Sequence, residues 1–225
     1  MIEALSLAGT CAPKVWRIDL DAGLPTAWRG WLSADERARA ARKVRPDDRR
    51  RYEVAHAALR FLLGEVVGAS PPTIELRAGP FGKPRLVGPS ACSFSLSHSD
   101  GVALVAIASG RAVGIDVERR RTVPDAIELA DEHFASSERD ELVQQGLSAR
   151  DDVFLRTWTR KEACLKAIGY GLSIDPALMV VGASADRRIV RIGAGGRMID
   201  IELQPVSAGD DVVASLGQTG LQAEA

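Results

Sequence analysis

The order of apolar and polar residues divides the chain into helix-type and strand-type segments. Ser33 and Glu36 have the spacing of a capping box, so a helix is predicted to begin there. A second helix is predicted over residues 47–67, where apolar residues recur at helical spacing and Gly68 follows. Short apolar runs then predict strands in TIELR, RLV, CSFSLSHS, VALVAIA and RAVGIDVE.

The second part of the chain repeats this order. Helical patterns occur in PDAIELADEHF, SSERDELVQQG and DDVFLRTWTRKEACLKAIG, and strand patterns follow in RRIVRI, RMIDIEL and DVVASL. Helices followed by strands, given twice, predict an α+β fold with two similar halves. The junction is predicted near residues 109–112, which gives an N-terminal half of residues 1–110 and a C-terminal half of residues 111–225.

Composition places the chain among globular proteins, because its 225 residues are 46% hydrophobic and 26% charged. The first residues contain no basic segment followed by a long apolar stretch, and later apolar runs are too short to cross a bilayer. We therefore expect a cytoplasmic protein with no membrane contact. Cys11, Cys92 and Cys164 are widely separated and form no CxxC pair, so they are expected to be reduced packing residues.

One segment is basic although the net charge of the chain is only −1. Residues 35–60 contain nine Lys or Arg against five Asp or Glu. This excess fits a surface that binds a phosphate-bearing ligand, or a solvated helix face. Aromatic residues are not interleaved with the basic ones, which disfavours nucleic acid as a partner.

Two carboxylates share one side of a predicted strand. In VGIDVE, Asp116 and Glu118 are two residues apart, so both side chains point the same way at a spacing of about 7 Å. Like charges so placed repel each other unless a cation lies between them, and carboxylate oxygens suit Mg²⁺ or Mn²⁺. The alternative is a solvent-facing strand edge neutralised by the arginines that follow.

A third carboxylate lies in the apolar face of a predicted helix. Glu162 falls in the same arc as Leu155, Trp158 and Leu165 when successive residues are placed about 100° apart. Burying an isolated carboxylate is costly, so a metal ion or an ion pair must offset the cost. The three carboxylates favour a divalent ion between strand and helix. The alternative is a Glu162–Lys166 pair, which contributes ~0.5 kcal/mol on an exposed helix.

Two further stretches carry polar groups. Ser97 and His98 in FSLSHS are consecutive strand residues that face opposite ways, which argues against a hydrolase dyad and leaves phosphate binding, or packing and capping. AGPFGKP differs from a P-loop because its glycines are too close and Pro84 replaces Ser or Thr. It is predicted to be a turn that presents Lys83.

Four motifs occur in the order found in the Sfp-type 4′-phosphopantetheinyl transferases, which the chain resembles. They are FGKP at residues 81–84, FSLSHS at 94–99, VGIDVE at 113–118 and WTRKEACLKAIGYGL at 158–172. The resemblance implies two α+β halves related by a pseudo-twofold axis, with the active site in the cleft between them. It also implies Mg²⁺-dependent transfer of the 4′-phosphopantetheine arm of coenzyme A to a serine of an apo acyl or peptidyl carrier protein, with release of 3′,5′-ADP.

The resemblance assigns roles to individual residues. Asp116, Glu118 and Glu162 match the metal ligands, and Glu162 also matches the group that takes the serine proton. Lys166 matches the lysine that contacts the phosphates, so the implied catalytic residues are Asp116, Glu162 and Lys166. Contacts with the nucleotide side of coenzyme A are implied for Lys83, Ser97 and His98 and, in a segment without a distinctive motif, for Arg37, Arg39 and Arg51.

Two other functions could use the same residues. A Mg²⁺-dependent phosphoesterase could be built on the three carboxylates, and a non-catalytic module could bind coenzyme A without modifying a partner. Consumption of coenzyme A that requires an apo carrier protein distinguishes the transferase from both. A monomer is expected, because a two-halved chain holds its cleft within one subunit. The sequence does not distinguish carriers of fatty-acid, polyketide and nonribosomal-peptide synthesis.

Overall fold

The computed structural model describes residues 1–7, 12–88, 92–184 and 186–220. The first elements are β1 (Ile2–Leu5), β2 (Lys14–Asp19), α1 (Ala34–Ala41), α2 (Pro46–Val67), β3 (Leu76–Ala78), β4 (Pro84–Leu86), β5 (Cys92–Ser99) and β6 (Val102–Ser109). They are followed by β7 (Val113–Arg119), α3 (Ala126–His133), α4 (Ser136–Val143), α5 (Leu147–Ile168), β8 (Arg188–Ala194), β9 (Arg197–Pro205) and β10 (Val212–Thr219). The predicted α+β class is confirmed.

Two antiparallel four-stranded sheets form the centre of the protein. Their strand orders are β1-β2-β6-β5 and β7-β10-β9-β8, and β3 and β4 form a separate hairpin. The chain changes sheet between β6 and β7, where the sequence places the junction of its halves. The division into residues 1–110 and 111–225, and the pseudo-twofold axis, stay predictions.

The side-chain alternation along β6 shows how the layers stack. Leu104 and Ala106 belong to the core between the two sheets, whereas Val105 and Ile107 belong to the core between the first sheet and α2. An uninterrupted apolar run is therefore buried on both faces. Helix α5 covers the other face of the second sheet, so the order of layers is α2, first sheet, second sheet, α5.

Helix α5 lies directly on β7 and β10, because glycines stand at the contact. A Cβ atom on Gly114 of β7 would collide with the backbone of Ala163 and Ala167. A Cβ atom on Gly217 of β10 would come within 3.1 Å of the Ala163 carbonyl oxygen. The small residues thus set how closely α5 approaches the strand that carries Asp116.

Serine hydroxyls join the edge strands β5 and β7 of the two sheets. Ser93 Oγ accepts a hydrogen bond from the Val113 N–H at 3.3 Å, and Ser95 Oγ accepts one from the Ile115 N–H at 3.1 Å. These bonds satisfy backbone donors of β7 that would otherwise be buried without partners. The alternating serines of CSFSLSHS therefore hold the two sheets together.

A buried ion pair fixes α5 to the elements around it. Lys161 and Glu138 are 1% and 3% exposed, and Lys161 Nζ lies 2.7 Å from Glu138 Oε2. Lys161 also donates to the carbonyl oxygens of Pro176 and Met179, at 2.8 and 2.5 Å. Glu138 Oε1 accepts from the Val181 N–H at 2.6 Å. The pair has its hydrogen bonds satisfied, as a buried pair requires.

Several local predictions are confirmed. Ser33 caps α1 and Glu36 completes the capping box, and α2 ends at Gly68 with a φ of 70°. Cys164 is buried and Cys92 is half-buried, both as free thiols, while Cys11 lies outside the described residues. In the ranges given above, no helix has both the length and the apolar character needed to cross a membrane.

The predicted order of helices followed by strands is wrong for the first half, because β1 and β2 precede its helices. β1 is a four-residue edge strand, which depends on pairing with β2 more than on its own pattern. The strand predicted in TIELR is limited to its end, because Pro71–Thr73 forms a 3-10 turn and β3 begins only at Leu76. Pattern alone did not indicate either feature.

The close contact of α5 with β7 yields a stability prediction. We expect Gly114→Ala to lower the free energy of unfolding by about 1–3 kcal/mol, because the added methyl overlaps helix backbone that cannot rotate away. Urea unfolding followed by circular dichroism measures the change. Gly30→Ala is the control, since its Cβ meets nothing within 4 Å. Equal unfolding midpoints for the two variants would contradict the packing argument.

Candidate functional site

A cavity of about 870 Å³ lies between helices α1 and α2, the β3–β4 hairpin, β5 and α5. Its volume is near the upper end of the range for small-molecule sites. The predicted site residues that line it are Arg39, Lys83, His98, Glu162 and Lys166. The predicted site residues outside the lining are Arg37, Arg51, Ser97, Asp116 and Glu118.

Lys166 links the cavity to the buried carboxylate of Asp116. Lys166 Nζ donates to Asp116 Oδ1 at 2.6 Å and to Ser97 Oγ at 3.0 Å, while Ser97 Oγ donates to Asp116 Oδ1 at 2.7 Å. The three groups come from β5, β7 and α5, so they meet where the two sheets and the helix join. Ser97 thus contacts both Asp116 and Lys166. The alternative in which Glu162 pairs with Lys166 is not observed, because Lys166 forms its salt bridge with Asp116.

The second oxygen of Asp116 has the character of a cation ligand. Asp116 is 4% exposed, and its Oδ2 has no hydrogen-bond partner among the described residues. Burial raises the pKa of Asp116, and Lys166 and Ser97 partly offset that rise. A buried oxygen without a donor is unfavourable unless a cation or a ligand group approaches it.

Glu162 stands on the cavity wall, one helical turn from Lys166. Its side chain is partly buried, and burial is the main cause that raises the pKa of Glu162, followed by the negative charges of Asp116 and Glu118. Lys166 acts in the opposite direction. The negative charges of Asp116 and Glu118 therefore act on Glu162 across the junction of strand and helix.

Glu118 is partly buried and is bound by two neighbouring side chains. Its Oε2 accepts hydrogen bonds from Ser99 Oγ and from Arg121 Nη1, both at 2.8 Å. The contact with Arg121 matches the sequence alternative in which the following arginines neutralise this strand edge. Arg121 thus neutralises part of the negative charge of β7.

The three carboxylates have the type of oxygen atom that binds a divalent cation, but their side chains are not yet grouped around one point. Hard oxygen donors, mutual repulsion and the partnerless Oδ2 of Asp116 all suit Mg²⁺. In the described part of the chain, however, no three His, Cys, Asp or Glu side chains are grouped closely enough to form a ready-made metal site. Lys166 instead supplies the positive charge next to Asp116.

Lys83 and His98 add positive or neutral donors to the wall. The FGKP segment forms a turn between β3 and β4, and Lys83 Nζ donates to the Val113 carbonyl oxygen at 2.7 Å. Burial, with a smaller contribution from Arg85, lowers the pKa of Lys83 to about 8. Loss of solvent around the ring, together with the charges of Lys43 and Lys166, lowers the pKa of His98.

The three predicted arginines separate in space. Arg39 lines the cavity and forms a long, exposed pair of 3.5 Å with Asp35. Arg37 donates to the Leu32 carbonyl oxygen, and Arg51 forms a two-bond pair with Asp21 at 2.8 and 2.9 Å. Only Arg39 is therefore positioned to meet a ligand inside the cavity.

Known proteins are similar to this chain in sequence. The family model of the 4′-phosphopantetheinyl transferase superfamily matches residues 112–216, which contain Asp116, Glu118, Glu162 and Lys166. The 4′-phosphopantetheinyl transferase HetI of Nostoc sp. is 37% identical to the chain over 164 residues, covering 71% of this chain and 69% of HetI. The chain belongs to the 4′-phosphopantetheinyl transferase superfamily. The family resemblance predicted from the four motifs is confirmed.

Two further relatives match the chain over a similar number of residues. The protein slr0495 of Synechocystis sp. is 33% identical over 163 residues, covering 72% of this chain and 66% of slr0495. The 4′-phosphopantetheinyl transferase Sfp of Bacillus subtilis is 30% identical over 155 residues, covering 64% of this chain and 68% of Sfp. The matches thus span about two thirds of the length of these superfamily members.

A buried ion pair in the cavity wall of this superfamily member was not predicted from the sequence. Glu36 Oε2 accepts from Arg60 Nε at 2.7 Å, and Arg60 Nη1 donates to the Ile74 carbonyl oxygen at 2.7 Å. The pair connects α1, α2 and the segment before β3. The capping box explained Glu36 locally, and no local spacing indicated its partner, which lies 24 residues away.

Aromatic rings at two places in the wall were also missed. Tyr52 stacks on His56 with ring centroids 3.8 Å apart, and both line the cavity. Their i,i+4 spacing is the one signal that could have indicated this contact. Phe81 of the hairpin turn stacks on Tyr170, just after α5, at 4.5 Å. The second stack ties the hairpin to the end of α5.

The lowered pKa of Lys83 yields a pH prediction. With a pKa of about 8, Lys83 loses its charge as pH rises from 7 to 9. The resemblance implies that Lys83 contacts the nucleotide side of coenzyme A. If its charge meets a phosphate group there, affinity should fall about tenfold over this range. Isothermal titration calorimetry at both values measures it. Lys83→Arg remains charged and should abolish the fall; the same fall in that variant would contradict the role of Lys83.

Proposed function

We propose that the protein transfers the 4′-phosphopantetheine arm of coenzyme A to a serine of an apo acyl or peptidyl carrier protein and releases 3′,5′-ADP. One observation carries the proposal. Lys166 lines a large cavity and contacts buried Asp116 at 2.6 Å, with Glu162 on the same wall, in a chain of this superfamily. These are the three residues to which the family resemblance assigns catalysis.

The cavity suits a long anionic ligand such as coenzyme A. Its volume of about 870 Å³ exceeds what a single phosphate group needs. Lys83, Lys166 and Arg39 supply positive charge from three elements of the lining, while Leu59 and Phe94 supply apolar surface. Phosphate groups and the adenine and pantetheine parts would therefore each find a matching surface.

Mg²⁺ belongs to this proposal, with Mn²⁺ as a substitute. Asp116, Glu118 and Glu162 would hold the ion, with the partnerless Oδ2 of Asp116 as its most buried ligand. When bound, the ion supplies neutralisation of the pyrophosphate charge. Lys166 would then have to share or leave Asp116, which frees its ammonium group for a phosphate oxygen.

The residues of the chain supply the remaining steps. The carrier serine Oγ attacks the β-phosphorus of coenzyme A, and the bond from that phosphorus to the bridging oxygen of 3′,5′-ADP breaks. Lys166 stabilises the charge that spreads over the phosphoryl oxygens. Glu162 receives the serine proton, directly or through a water molecule. The product is a phosphodiester, and the protein forms no covalent intermediate.

The partner and cellular setting follow from the same reading. A carrier protein of acidic character would be attracted by the basic segment of residues 35–60. We further propose a monomer in the cytoplasm, with residues 1–110 and 111–225 as the two sides of the cleft. Nucleic acid and membranes are not part of this function.

The first test combines the protein with coenzyme A, Mg²⁺ and a panel of apo carrier proteins. We expect the mass of at least one carrier to increase by one phosphopantetheine arm in intact-protein mass spectrometry, and EDTA to prevent it. Coenzyme A consumed without a carrier would instead indicate a phosphoesterase. Binding without consumption or a mass change would indicate a non-catalytic coenzyme A module.

The second test replaces Glu162 by glutamine. Glu162→Gln keeps the size of the side chain and removes its charge, so we expect transfer to fall by about 10²–10⁴-fold while the unfolding curve is retained. Glu128→Gln, at an exposed position of α3, is the matched control and should transfer at the normal rate. Near-normal turnover of Glu162→Gln would remove Glu162 from the catalytic site.

A further inference from the structure

Lys166 stands between a buried carboxylate and the space that a ligand would enter. Its side chain is 28% exposed and lines the large cavity, whereas its partner Asp116 is buried. Asp116 is the one carboxylate within salt-bridge distance of Lys166 in the part of the chain that the structure describes. From this position the ammonium group can serve either an acidic side chain or an anion in the cavity.

The contacts of Asp116 leave no oxygen open to a hydrated metal ion. Oδ1 accepts hydrogen bonds from Lys166 Nζ at 2.6 Å and from Ser97 Oγ at 2.7 Å, which together use the lone pairs of that oxygen. Oδ2 has no partner among the described residues, but it has almost no accessible surface. A cation therefore reaches neither oxygen while Lys166 remains at this carboxylate.

The charge of Lys166 also acts against a metal ion. The ammonium group adds a positive charge at the place where Asp116 and Glu162 would hold a cation, and like charges in one site repel each other. Its influence extends to Glu162, since the charge of Lys166 lowers the pKa of that residue against the effect of burial. One lysine thus offsets the charge of carboxylates on both the strand and the helix.

We propose that Lys166 is an internal counter-ion that keeps divalent cations from Asp116 until a phosphate-bearing ligand enters the cavity and takes over its ammonium group. The identity of that ligand, coenzyme A, rests on the proposed function. The arrangement explains why the carboxylates have suitable oxygen atoms and yet are not grouped as a ready-made metal site within the described ranges. The lysine occupies the place of the ion in the ligand-free chain.

Positive coupling between coenzyme A and the metal ion follows from this role. Phosphate oxygens offer the ammonium group of Lys166 a negative partner inside the cavity, and the flexible side chain allows it to turn from Asp116 to them. The carboxylate then becomes accessible and loses its neutralising charge. Each ligand therefore strengthens the binding of the other, as linkage requires.

Manganese binding in the absence of coenzyme A tests the counter-ion role. Electron paramagnetic resonance measures free Mn²⁺ during a titration of the full chain. We expect Lys166→Met, which retains the length of the side chain and loses its charge, to bind Mn²⁺ about tenfold more tightly than the unmodified protein. Lys166→Gln serves as the second variant if circular dichroism shows that Lys166→Met is unfolded. An unchanged or weaker affinity in the folded variant would overturn the proposal.

Two further variants show whether the effect belongs to Asp116. Lys83→Met removes a charge from the same cavity, but Lys83 Nζ donates to the Val113 carbonyl oxygen and forms no salt bridge in the described segments. We expect its Mn²⁺ affinity to change by less than about twofold. Asp116→Asn combined with Lys166→Met should lose the gain. Equal gains in the two lysine variants, or a gain that survives Asp116→Asn, would refute the counter-ion role.

Coenzyme A measures the coupling in the unmodified protein. We expect it to raise the Mn²⁺ affinity of the unmodified protein, and to raise that of Lys166→Met by a smaller factor, because the opposing charge is already absent. Equal factors, or no rise in the unmodified protein, would overturn the proposal.

The metal titration and the carrier assay can fail independently. Carrier loading by the unmodified protein, combined with unchanged Mn²⁺ affinity in Lys166→Met, would refute the counter-ion role alone. Tighter Mn²⁺ binding by Lys166→Met without carrier loading by the unmodified protein would support that role and refute the transferase function.

Discussion

Helix α5 can rest on the backbone of β7 only because Gly114 has no side chain at the contact. This approach brings Lys166 within 2.6 Å of Asp116, since one residue belongs to the helix and the other to the strand beneath it. A larger residue at position 114 would lift the helix and lengthen that contact. The contact between Lys166 and Asp116 therefore depends on the absence of a Cβ atom at Gly114.

Polar contacts then hold the two sheets in the register that this cluster requires. Serines of β5 accept hydrogen bonds from the backbone of β7, and Lys83 reaches from the hairpin turn to the Val113 carbonyl oxygen at 2.7 Å. On the far side, the buried pair of Lys161 and Glu138 anchors α5 to α4. The cavity is thus built across a junction whose position is fixed by directional bonds as well as by apolar packing.

Local spacing was enough to predict most elements and the common side of Asp116 and Glu118, because capping boxes and period-two alternation are properties of neighbouring residues. It also identified Glu162 as a carboxylate that requires a metal ion or a charged partner. It did not reveal that Lys166 pairs with Asp116, 50 residues away, because such a pair depends on tertiary packing. The same limit hid the partners of Glu36 and Lys161, and the short strands β1 and β2.

The β3–β4 hairpin forms a wall of the cavity but does not pair with the strands of either large sheet. The hairpin belongs to neither large sheet, and one stacked ring pair, Phe81 on Tyr170, connects it to the end of α5. Substitutions in this hairpin that retain Lys83, which donates to the Val113 carbonyl oxygen, can therefore reshape the pocket without disturbing the helix–strand contact at Gly114. For protein engineering, it is the place where ligand preference can be altered at the least risk to folding.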